Sequence, residues 1–125
     1  MKITEIAFTG YSVTDMKRAR GFYEGFLGLK QSRAFGQHDG EDKWVEYDIG
    51  AGCLALISGG GKDWPPSTAG TAAVFEVDDI AAYAAEVEKC DIKIVFPLRE
   101  SEPCWMLVIA DPDGNWVVLH QRKAA

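Results

Sequence analysis

Few residues in this chain have types and spacings suited to chemistry. His120 closes the run Trp116-Val117-Val118-Leu119-His120. In a strand, alternation puts Trp116, Val118 and His120 on one face. An imidazole there can accept a proton or anchor a ligand; it can equally be a hydrogen-bonded rim histidine. Glu46 and Asp48 share a face with Trp44 by the same alternation. They read either as carboxylates that attract a cationic ligand or as the solvated face of an antiparallel strand. Trp44 and Trp116 read as aromatic walls for a flat or cationic ligand, or as core mass. Trp64, set in a Gly/Pro-rich stretch, suits a cover over a cavity or a subunit contact.

Other candidates lead away from catalysis. The cysteines, Cys53, Cys90 and Cys104, are odd in number and form no CxxC pair, which argues against a disulfide framework or a zinc site. Cys53 and Cys104 lie in apolar strand contexts with no cationic neighbour in sequence to activate a thiolate, so they read as inert packing. The run Gly59-Gly60-Gly61-Lys62 lacks phosphate-loop spacing and leads into Asp63-Trp64-Pro65-Pro66, not into a helix. His38, Asp39, Glu41 and Asp42 read as a charged, solvent-facing hairpin loop.

The net charge of −6 excludes a phosphate-backbone partner, since nucleic-acid binders carry a basic stripe. The densest basic group, Lys17, Arg18 and Arg20, reads as a solvated helix face. No apolar run approaches the ~20 residues needed to span a membrane, and the first residues have no apolar signal core, so a cytoplasmic protein is expected.

The elements that must position these residues follow from periodicity. Residues 3–13 read as a strand, Thr14 or Asp15 as a helix cap, and Met16, Ala19, Phe22, Tyr23 and Phe26 as one apolar helix face ended by Gly28. Strand-like segments follow at about 29–36, 43–49 and 52–58. After the stretch 59–70 the pattern restarts: a strand at 71–77, a helix capped by Asp78 or Asp79, and strands at about 92–97, 104–110 and 116–121. Asp111-Pro112-Asp113-Gly114 is a turn signal between the last two. The halves repeat: Val13-Thr14-Asp15-Met16 matches Val77-Asp78-Asp79-Ile80 at an offset of 64 (77 minus 13), and Leu29-Lys30 matches Ile92-Lys93 at 63 (92 minus 29). Each half reads strand, helix, strand, strand, strand, an α+β arrangement with one apolar sheet face to hide. The expectation is one domain over 1–125, with module one at about 1–58, a linker at about 59–70 and module two at about 71–125.

Three motifs, in order, carry a family resemblance: Val13-Thr14-Asp15 with Phe22-Tyr23 and Leu27-Gly28-Leu29; Phe75-Glu76-Val77-Asp78-Asp79; and Asp111-Pro112-Asp113-Gly114-Asn115. The chain resembles the vicinal-oxygen-chelate superfamily, the glyoxalase, bleomycin-resistance and dioxygenase proteins. The resemblance implies two tandem βαβββ modules forming a curved sheet around a central cavity. It also implies four metal-ligand positions, normally His or Glu, on the first and fourth strands of each module. These fall on Phe8, Ala55, Ala72 and Val118. None of the four side chains has a lone pair for a cation, and a catalytic divalent ion takes about three protein donors. No metal and no other cofactor is therefore expected, and the metal-dependent chemistry of the enzymes does not carry over.

Three functions follow as expectations. The first is a metal-free protein binding a small organic ligand in an apolar cavity, as bleomycin-resistance proteins do. Phe8, Ala55, Ala72 and Val118 would line that cavity, and Glu46, Trp116 and His120 would orient the ligand. The second is a lyase or dioxygenase of the glyoxalase type with non-standard ligands drawn from His120, Glu46 and a cysteine. The third is an interaction module with a vestigial cavity. No catalytic residue is assigned. A homodimer is expected from the family pattern and from the prevalence of two-fold pairing.

Overall fold

In a computed structural model the described residues are 1–2, 4, 6–37, 41–68 and 72–123. The chain divides into two compact units, Met1–Pro66 and Ser67–Ala125.

Unit one contains β1 (Thr9–Val13), α1 (Met16–Arg20) running into a π-helix (Gly21–Phe26), β2 (Arg33–Phe35), β3 (Trp44–Ile49) and β4 (Gly52–Ser58). Its sheet has the order β1-β4-β3-β2, with β1 parallel to β4 and the other pairs antiparallel. Alternation sends Tyr11, Val13, Val45, Tyr47, Leu54 and Leu56 to one buried face. Met16, Ala19 and Tyr23, spaced to share a helical side, are buried with them. Each such large apolar side chain contributes about 1.5–3 kcal/mol by leaving water. Asp15 caps α1, its carboxylate accepting from Arg18 N at 3.0 Å.

Unit two contains β5 (Ala73–Glu76), α2 (Ile80–Lys89), β6 (Ile94–Glu100), β7 (Cys104–Ala110) and β8 (Trp116–Arg122), with sheet order β5-β8-β7-β6. Leu107, Ile109, Val117 and Leu119 face α2, whose Ile80 and Val87 are buried. Asp79 caps α2 by accepting from Ala82 N at 3.2 Å, and Gln121 Oε1 accepts from Ile80 N at 2.8 Å. Each unit is thus one turn of the repeat, and the α+β two-module fold is as the periodicity implied.

Several expectations need correction. The first strand is shorter than residues 3–13: its parallel ladder starts at Thr9, opposite Leu54, because β4 begins only at Gly52 and offers little backbone further back. Residues 3 and 5 lie outside the described set. Phe8 and Ala72 therefore stand one residue before β1 and β5 instead of within them. The segment at 29–36 is strand only over Arg33–Phe35, and the helix after Arg20 is wound as a π-helix, with Leu27 N donating to Phe22 O at 3.0 Å. His38 and Asp39 lie outside the described residues.

Candidate functional site

The sheet face opposite the helix carries the candidate residues in each unit. In unit one, strand pairing aligns Gly10, Ala55, Glu46 and Arg33 in a row across all four strands. The next row aligns Ser12, Ile57, Trp44 and Phe35. Phe8 packs edge-on to Trp44 with ring centroids 5.4 Å apart. Trp64 is tied to this face by its carbonyl, which accepts from Ser12 Oγ at 2.6 Å. A Cβ built on Gly10 would lie 3.4 Å from Phe8 and 3.6 Å from Trp64, so the absence of a side chain at Gly10 lets both rings approach the sheet. Phe8 and Trp64 remain 38% and 41% exposed, which leaves aromatic surface available to a ligand.

Glu46 has less freedom than the sequence suggests. Its Oε1 accepts from Arg33 Nε at 2.7 Å and its Oε2 from Trp44 Nε1 at 2.8 Å. The same guanidinium spans Asp48, with Nη2–Oδ1 at 2.5 Å and Nη1–Oδ2 at 3.1 Å. Arg33 hydrogen bonds hold both carboxyls below their usual range. One guanidinium against two carboxylates leaves a single net negative charge, so attraction for a cationic ligand is weakened at this face. Sequence reasoning missed Arg33, which β2 delivers from thirteen residues away. Arg33 also corrects the reading of Cys53, whose Sγ is 3.8 Å from Nη2. Burial nevertheless pushes the Cys53 thiol up, outweighing that cation, and the thiol stays unactivated.

In unit two, pairing aligns Val74, Val118, Val108 and Phe96, and beside them Glu76, His120, Met106 and Arg99. Trp116, Val118 and His120 share one face, as alternation requires, and Trp116 packs edge-on to Phe96 at 5.6 Å. Ala72 is half-buried just ahead of β5. His120 is not a lone histidine: its Nδ1 is 2.6 Å from Glu76 Oε1, while Glu76 Oε2 accepts from Arg122 N at 2.8 Å. Glu76 lay unnoticed inside the Phe75-Glu76-Val77 motif, because only β5–β8 pairing brings residue 76 opposite residue 120.

The four ligand positions implied by the resemblance occupy matching places. Gly10 pairs with Ala55 and Val74 pairs with Val118, and Phe8 and Ala72 each stand two residues before the first member of the pair. A benzene ring, two methyl groups and an isopropyl group donate no electron pair, so these residues do not fit a divalent ion. Among the described residues no group of three or more His, Cys, Asp or Glu side chains is placed to hold one.

Unit one also has an open cavity of about 730 Å³ on its helix side, away from Phe8, Glu46 and Ala55, bounded in part by Asp15, Met16, Arg20, Glu24 and Asp42. Its carboxylates outnumber its cations, and Arg20 is shared among them. Arg20 reaches Glu24 at 2.5 Å, Gln31 at 2.7 Å and Asp42 at 3.8 Å, so it is tied to partners and is not simply part of the solvated helix face read from the sequence. Tyr47 donates to Glu24 at 2.7 Å. Burial pushes Glu24 up, but the Arg20 and Tyr47 hydrogen bonds outweigh it and keep the carboxylate ionised.

Residues 5–119 match the family model described as the Glyoxalase/Bleomycin resistance protein/Dioxygenase superfamily. The chain belongs to this superfamily. This glyoxalase-superfamily chain is similar over its length to several solved structures. TnmS3, an antibiotic binding protein from Streptomyces sp. CB03234, is 20% identical, with a TM-score of 0.76 over 98% of this chain and 99% of that one. The fosfomycin resistance protein FosX from Mesorhizobium loti is 20% identical, with a TM-score of 0.70 over 98% and 95%. A virulence protein from Salmonella typhimurium is 22% identical, with a TM-score of 0.71 over 98% and 100%. At these identities the likeness shows the shared fold. No curated protein sequence matches the chain.

Proposed function

We propose that this superfamily member binds a small organic ligand with an apolar or aromatic part and does so without a resident metal. The observation that carries the reading is the replacement of all four metal-ligand positions by Phe8, Ala55, Ala72 and Val118. Aromatic side chains flank those positions on the same sheet faces: Trp44 and Trp64 in unit one, Trp116 and Phe96 in unit two. Phe8, Ala72 and Val118 supply apolar contact, with the fully buried Ala55 as the wall behind them, Trp116 an aromatic edge, and His120 a polar anchor. Glu46, with both oxygens engaged, acts as a fixed partner of Trp44 that sets the indole's orientation. Binding and resistance proteins among the structural neighbours, TnmS3 and FosX, support a small-molecule role over a macromolecular one.

The test uses untagged protein that has never met a nickel column, dialysed against chelator. Elemental analysis before dialysis is expected to give well under one equivalent of zinc, nickel, iron or manganese. Fluorescence titration with 1-aminoanthracene is expected to saturate at micromolar concentration, unchanged by chelator. A stoichiometric metal, or the absence of any saturable binding, overturns the reading. We further propose that residues 1–125 act as one domain, that the protein is cytoplasmic, and that it assembles as a homodimer. No helix among the described residues is long and apolar enough to cross a membrane. The exposure of Phe35 (51%), Val74 (57%) and Phe96 (44%) supports a further covering surface.

A further inference from the structure

The hydrogen-bonding groups of the unit-two face are arranged to accept a proton. Glu76 is held as a carboxylate, first by the Arg122 backbone N–H and then by His120. A carboxylate only accepts, so its 2.6 Å contact with Nδ1 requires the proton to sit on Nδ1. In the neutral ring this leaves the lone pair on Nε2. Nε2 makes no hydrogen bond to any described residue, and the side chain is 21% exposed. Around it the face is mostly apolar: Met106 is directly opposite on β7, Val118 stands two residues earlier on β8 and Val74 two residues before Glu76 on β5, while Arg99, beyond Met106 in the same row, lies with its guanidinium 6.0 Å from the Phe96 ring. Trp116 and Phe96 stand at the far end of the valine row. An oriented acceptor at one end of an apolar strip calls for a ligand that is mostly hydrocarbon with one good donor. A phenolic O–H is a stronger hydrogen-bond donor than an amide N–H, so it is the better partner for this oriented lone pair.

We propose that the Glu76–His120 pair is the recognition element for an aromatic alcohol, with His120 Nε2 accepting the phenolic hydroxyl and the aromatic body lying along Val118 and Val74. This rests on the reading above that the face binds a small organic ligand, and it names the ligand's class. Glu76 is a positioning residue, since it acts only by fixing which nitrogen of His120 is bare.

Two measurements on the full chain test the pair. Long-range proton–nitrogen spectra of labelled protein, with His38→Gln to assign the signals, are expected to show His120 protonated at Nδ1. In Glu76→Ala the two tautomers should mix, a change that loss of packing alone would not produce. A wild-type His120 protonated at Nε2 overturns the proposal. Calorimetry then compares 2-naphthol with 2-methoxynaphthalene, which shares the aromatic body but cannot donate. Wild type is expected to prefer 2-naphthol by roughly tenfold. His120→Phe should abolish the preference while leaving 2-methoxynaphthalene binding within about twofold. Equal affinity for the two probes, or a preference that survives in His120→Phe, overturns the aromatic-alcohol proposal and leaves ligand binding intact. If neither probe binds, both readings fall.

Discussion

The side chains on the candidate faces are defined by partners far away in sequence. Glu46 and Asp48 look like an open pair of carboxylates until Arg33 is placed between them. The consequence is a measurable linkage. Both carboxyls titrate below their unfolded values, so the stabilisation from Arg33 is present above the ordinary carboxylate range and is lost as pH falls through their depressed values. Arg33→Gln is expected to lower the urea midpoint near neutral pH and to leave it closer to wild type at a second, acidic pH below those depressed values. Because the cluster is largely solvent-facing, the effect should also shrink with added salt. A loss of stability equal at both pH values would show that Arg33 contributes through packing instead of charge. Neither Arg33 nor Glu76 was legible as a partner: thirteen and forty-four residues separate them from Glu46 and His120, and only strand pairing sets those distances.

At the scale of elements, the segment 111–115 does more than turn the chain. Asp111 and Asn115 are buried, at 5% and 0% exposure. Asp111 Oδ1 accepts from Asp113 N and Asn115 N, each at 2.9 Å, and Oδ2 accepts from Asn115 Nδ2 at 2.8 Å. Asn115 Oδ1 in turn accepts from Ser67 N at 2.7 Å, tying the start of unit two to the β7–β8 connection. Gly114, at φ 88°, takes the left-handed position, and a Cβ there would meet Thr68 Cγ2 at 3.2 Å. Asp111→Ala strands these donors, two of them in the interior. It should cost about 3 kcal/mol in urea unfolding, against about 0.5 kcal/mol or less for an exposed acid such as Asp91→Ala. The turn itself was readable from Pro112 and Gly114. The buried network was not, because a turn signal is the same whether its carboxylate faces water or protein.

At the scale of the molecule, the proposed assembly sets a simple expectation. A homodimer should scatter light as a particle close to twice 13.7 kDa at micromolar concentration and persist in moderate salt, since its contact would be apolar. A mass near 13.7 kDa under the same conditions overturns the dimer without touching the fold. The net charge of −6 bears on this scale too: it opposes phosphate-backbone partners, but it does not concentrate on the candidate faces, where Arg33 offsets one of the two charges of Glu46 and Asp48, Arg99 shares the row of Glu76, and Arg122 donates its backbone N–H to Glu76. Ligand affinity should accordingly follow apolar area more than ionic strength.

The amino-acid sequence alone determined the repeat, and with it the fold. Helical and strand periods, the Asp15 and Asp79 caps and the offsets of 63 and 64 are local or self-referential signals that need no third dimension. It also put hydrocarbon at the four positions where the family resemblance implies metal ligands, because residue type at a motif position is independent of packing. Tertiary structure decided what those positions stand among: which carboxylates are already neutralised, which histidine nitrogen is held, and which aromatic rings reach a face. These depend on cross-strand neighbours, and pairing register is fixed by burial of the whole sheet, which no short window of sequence contains.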